Sequence, residues 1–285
     1  MLNLPACFSV KFLPGAERIN QPYRLAGQQP DNLCGLYWAS MLLQAYGVTG
    51  VDVTQLALLA NSTLPIGDPT DWVPLGASSR QDYSQPLPET ANVREAGTAA
   101  TGLINAVFQA SSGRYVLVPL RANWSPESLK TLIALCQKNP RWEAVPLCNV
   151  QTGHLWGSRI ALANALAYLA GEEISPPKAD WDVGHFVTLA GSVEGNKRSL
   201  LLIRDTYSIF GWDGYYLQPQ DAIASALRRD DGKEGGVFLF VAAENQAEVE
   251  QQAREQSFNI ASWDNGTPIR CDGQPPSSYT NSLTS

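Results

Sequence analysis

One thiol, two imidazoles and a few well-placed carboxylates define the chemistry open to this chain of 285 residues. Cys34 stands at the start of an apolar run that ends at Tyr46 and Gly47, with the carboxamides of Gln28 and Gln29 just upstream. The unpaired N–H groups and partial positive charge of a helix N-terminus favour the thiolate, the form of cysteine that attacks a carbonyl carbon. Such a nucleophile needs a proton acceptor, and the chain offers only His154 and His185. His185 begins a strand-forming run, 184–191, joined by the polar turn 194–198 to a second run, 200–205, which reads as an antiparallel hairpin. An odd-numbered loop centred on Gly195 opposes His185 to Asp205, at roughly 5 Å between Cβ atoms, close enough for the carboxylate to orient the imidazole. A two-residue loop at Gly195 and Asn196 would instead oppose His185 to Thr206. His154 falls between a strand and a turn, where bonding to nearby backbone is the ordinary outcome. Asp213, flanked by Gly211 and Gly214, is a second candidate carboxylate, although such a residue usually forms a turn.

These residues resemble the papain-like cysteine peptidases, in particular the branch of bacteriocin-processing (double-glycine leader) peptidases and their soluble relatives. The resemblance is carried by Gln28 six residues before Cys34 and Gly35, by the helix closing on Tyr46 and Gly47, and by the stretch from Gly184 to Leu189 followed by Asp205. It covers residues 22–60 and 180–220. It implies Cys34 as nucleophile, His185 as general base and then acid, Asp205 as the orienting carboxylate, and Gln28 beside the Cys34 N–H in an oxyanion hole. Three departures stand out: Leu33 precedes the cysteine where relatives commonly carry Asp, a second glutamine follows at 29, and Thr206 follows Asp205 where many relatives have Pro. Either glutamine can point inward. The implied activity is peptide or protein hydrolysis through a thioester, as in maturation of a bacterial peptide, with no cofactor and no metal. The same groups suit a transglutaminase-like or ligating acyltransferase, and a papain-like cleft can also hold a peptide without cutting it.

Composition sets wider limits. Hydrophobic residues make up 44% of the chain, enough for a packed core, and the formal charge is −7. Without a basic cluster the attraction that phosphate backbones require is missing, so nucleic acid is not an expected partner; the acidity could steer cationic peptides toward a cleft. Five cysteines, odd in number and without paired spacing, fit a reducing compartment. No segment approaches the roughly 20 apolar residues of a membrane span, which points to a soluble, cytoplasmic and bacterial protein without a membrane partner.

The elements that must position these groups follow from periodicity. The run after Cys34 is apolar on nearly every side and reads as a buried helix ended by Gly47. Asp52 caps a short helix, and residues 61–97, with five prolines among Gly, Ser and Thr, read as an insertion or lid beside the cleft. Ser125 and Pro126 start a helix in which Cys136 falls on the core face, and 237–241 is a last core strand. Helices lead and strands follow, which predicts an α+β, papain-like fold with a helical half bearing the Cys and an antiparallel sheet half bearing the His and Asp. The catalytic domain is expected over 1–245, followed by a polar helix and flexible tail over 246–285.

Overall fold

Strands of alternating large apolar residues close into one antiparallel sheet with helices on both faces, in a computed structural model that describes residues 8–68 and 73–268. In chain order the strands are β1 (Ser9–Phe12), β2 (Leu64–Pro65), β3 (Glu89–Thr90), β4 (Tyr115–Arg121), β5 (Val145–Gln151), β6 (Gly184–Glu194), β7 (Ser199–Arg204), β8 (Tyr215–Pro219), β9 (Gly236–Ala242) and β10 (Asn259–Ile260). The helices are α1 (Asn20–Ala26), α2 (Cys34–Ala45), α3 (Val53–Leu59), α4 (Ala100–Ala110), α5 (Pro126–Lys138), α6 (Leu162–Leu169), α7 (Gln220–Arg228) and α8 (Gln246–Glu255). The main sheet runs β10-β4-β9-β5-β6-β7-β8, with β1 laid along the distal part of β6. The short pair β2 and β3 lies within the 61–97 segment, which is otherwise mostly irregular, as its prolines predict.

Side chains alternate across a strand, so each strand feeds two cores. Leu117, Leu147, Phe186 and Phe238 pack with α2, α3 and α4, while Val118, Cys148, Val187 and Leu239 pack with α5, α7 and α8. The α+β class is as expected, but the division into a helical half and a sheet half is corrected by this second helical layer. Weakly apolar sequences form it, because α7 and α8 need only one buried stripe each (Ile223 and Leu227, Val249 and Ala253). Helix α5 starts as its sequence predicts, with Ser125 and Ser128 bonding reciprocally across the first turn. The expected tail beyond residue 268 lies outside the described residues, as do Cys7 and Cys271.

The hairpin register differs from the expected one. Residues 195–198 form a four-residue turn closed by Gly195 N–H to Arg198 O (2.9 Å), and the ladder runs Glu194↔Ser199 to Gly191↔Leu202. A bulge at Ala190 then shifts it to Leu189↔Ile203 and Thr188↔Arg204. His185 therefore has no partner within β7. Asp205 lies just past the strand end, where its N–H turns to bond Gly214 O (2.9 Å).

Candidate active site

Helix α2 begins at Cys34 with no side-chain cap, so its first N–H groups remain open toward the thiol. From Gly35 to Leu43 every residue is buried, and the helix ends in a Schellman motif: Val48 N–H bonds Leu43 O, Gly47 N–H bonds Gln44 O, and Gly47 has φ +81°. Two features press the first turn against β6. A Cβ on Gly35 would lie 3.0 Å from Phe186 Cδ2, so glycine allows the close approach. One turn on, the Trp38 indole N–H donates to Phe186 O (3.0 Å), the residue next to His185.

His185 is buried beside Asp205, with Nε2 3.1 Å from Asp205 Oδ1. That leaves Nδ1 for the thiol. Asp205 is fully buried and also accepts from Tyr207 N–H (3.0 Å) and the Tyr216 hydroxyl (3.4 Å). Burial by itself would lower the His185 pKa. The Asp205 carboxylate and the Cys34 sulfur, each by charge and by hydrogen bonding, outweigh that effect and push it from 6.5 up to about 10. The imidazolium is thus the favoured form at neutral pH. Trp181 meets the ring edge-on at 5.1 Å and Tyr207 stacks at 6.3 Å, walling the imidazole from solvent. Cys34 is only half-buried, whereas Cys136 and Cys148 are sealed in the core, where burial pushes each thiol up to about 12 and makes it inert.

The two glutamines separate. Gln28 donates its amide to Ser78 O and does not line the cavity at Cys34, which corrects the carried-over oxyanion position. Gln29 does line it, and is buried. The Thr206 hydroxyl donates to Gln29 Oε1 (2.6 Å) and lies 3.3 Å from His185 Nε2. With Oε1 held, Gln29 Nε2 is turned away and bonds nothing among the described residues. The 61–97 segment fixes this loop: the Ser79 hydroxyl and Arg80 N–H both bond the Asp31 carboxylate (2.6 and 3.1 Å), and Arg80 also reaches Ala26 O (2.8 Å).

The other candidates go elsewhere. His154 Nε2 lies 3.4 Å from Asp230 Oδ1, without hydrogen-bond geometry and away from the thiol, so a carboxylate rather than the expected backbone is its neighbour. Asp213, with φ +55°, receives Arg24 and Arg204 (2.9 and 3.0 Å) and does not meet His185. Sequence reasoning missed Trp181, which no motif marks, and the work of Thr206, signalled only as a departure from Pro and as the partner of His185 in the alternative hairpin register.

The cavity beside Cys34 and His185 encloses about 230 Å³ and includes Pro65, Gly97 and Asn265. A larger groove of about 840 Å³ opens around Trp156 and Tyr168, but it contains neither a thiol nor an imidazole. Among the described residues no His, Cys, Asp and Glu side chains group to hold a metal, and no helix is long and apolar enough to cross a membrane.

A model described as a family of unknown function (DUF6885) matches residues 13–264, the span that contains Gln29, Cys34, His185 and Asp205. The chain belongs to that family. No curated protein matches it. Within the DUF6885 span fall all the main-sheet strands except β1.

Proposed function

We propose that this DUF6885 chain is a papain-like cysteine peptidase acting through Cys34, His185 and Asp205. The observation that carries the reading is the buried His185 imidazole held by Asp205 on Nε2 and coupled to the Cys34 sulfur. A thiol at the start of a central buried helix, facing a histidine on an antiparallel sheet, is the arrangement that the family resemblance implies.

In this mechanism His185 is the resting imidazolium, its Nδ1 already holding the proton taken from Cys34, and the thiolate attacks the carbonyl carbon of an amide. The resulting oxyanion meets the Cys34 N–H and Gln29 Nε2. His185 then protonates the leaving amine as the C–N bond breaks, leaving a thioester on Cys34. Water, deprotonated by His185, attacks the thioester; the C–S bond breaks, releasing the acid and restoring the Cys34 thiolate beside the His185 imidazolium. Substitution C34A removes the attacking atom from a half-buried position. Turnover of a quenched-fluorescent peptide library should vanish while the far-UV circular dichroism stays unchanged; persistent turnover refutes the reading. Product masses with an added amine separate hydrolysis from acyl transfer.

A further inference from the structure

The cavity at Cys34 has no acidic residue in its wall, in a chain whose formal charge is −7, yet it contains Arg229 and Lys233. Arg229 follows α7 with φ +54°, a left-handed backbone that few non-glycine residues adopt. That conformation lays its guanidinium over Gly184, where a Cβ would come within 2.9 Å of Nη2. Asp231 holds Nε (3.0 Å) and Nη2 (2.5 Å), and Asn149 Oδ1 accepts from Nη1 at 3.4 Å. Three of the five guanidinium N–H groups are thereby used, leaving two. Asp231 offsets one positive charge and Lys233 supplies another: its methylenes cover Gly266, and its Nζ makes no ion pair or hydrogen bond among the described residues. The Asn32 Nδ2 donor, in the same wall, is buried without a partner. The wall also holds one buried acceptor without a partner, Asn265 Oδ1, but the open donors of Arg229, Lys233 and Asn32 outnumber it, and the charge of the cavity is opposite to that of the whole chain.

We infer that this wall is a carboxylate-recognising subsite, so that the substrate carries a carboxylate next to the scissile amide, with Lys233 as the specificity-determining residue. The inference rests on the thiol chemistry proposed above. It reverses the sequence-based expectation of cationic peptides, because net charge acts at a distance whereas selection occurs at the wall.

Iodoacetate and iodoacetamide, alike in shape and different in charge, test it on the intact chain without knowledge of the substrate. Cys34 alkylation is followed by peptide mass, and each rate is divided by that for N-acetylcysteine. The corrected preference for iodoacetate should fall in K233M and by about tenfold in K233E, as expected for one reversed charge at the wall. A preference that K233E leaves unchanged overturns the inference while the thiol chemistry stands. Failure of both reagents to modify Cys34 overturns the inference and the thiol chemistry together. Three N-acetylated tripeptides then compete against iodoacetamide: central Glu with an amidated end, central Gln with a free end, and central Gln with an amidated end. Stronger protection by the first assigns the subsite to acidic side chains, and by the second to a chain terminus; equal protection by all three overturns it.

Discussion

Replacing Asp205 with Asn should make the stability of this fold depend differently on pH. The change preserves shape: Asn Oδ1 can keep the bonds from His185 and Tyr207, and Nδ2 can face the Tyr216 hydroxyl, which rotates to accept. Only the charge is lost. In the wild type the His185 pKa rises from 6.5 to about 10. At about 1.4 kcal/mol per pH unit, that rise is a linkage of about 5 kcal/mol. Asp205 is the larger of the two groups that raise it, ahead of Cys34, so its share is about 3 kcal/mol. A histidine with a raised folded-state pKa stabilises the fold fully below its unfolded value of 6.5. It loses that contribution as pH climbs through about 10. Urea titrations of wild type and D205N should therefore differ by about 3 kcal/mol at about pH 6 and converge as pH approaches 10. A gap that stays constant across this range would refute the ion-pair account of His185.

Further outcomes follow from the same geometry. Gln29→Ala should lower kcat on any turned-over peptide by about 100-fold or more, the usual cost of one oxyanion donor, whereas Gln28→Ala should leave kcat near wild type; steady-state kinetics of the two variants decide between the glutamines. Trp38→Phe removes the donor to Phe186 O in a fully buried position and should cost about 1–3 kcal/mol in denaturant unfolding, with slower Cys34 alkylation as the first turn of α2 loosens from β6.

Much of this was legible in the sequence because the relevant signals are local. The buried helix after Cys34 shows in its all-round apolar composition and its Gly47 stop, and α5 shows in Ser125 and Pro126. The pairing of His185 with Asp205 also emerges, but by a different route from simple cross-strand opposition. The true register depends on the Ala190 bulge, which accompanies the laying of β1 on β6: a Cβ on Gly191 would sit 2.2 Å from Lys11 O. That contact joins segments about 180 residues apart, and no hairpin rule contains it. The choice between Gln28 and Gln29 is likewise made by Ser78 and Thr206, which are remote in sequence. His154 found Asp230 for the same reason.

The bridge from Thr206 to Gln29 has a consequence for engineering. The group that would receive negative charge at oxygen and the pair that would shuttle the proton share a single hydroxyl pin, so neither can be retuned in isolation. Attempts to convert hydrolysis into ligation should begin by varying the side chain at 206, where one change shifts both halves without removing any reacting group.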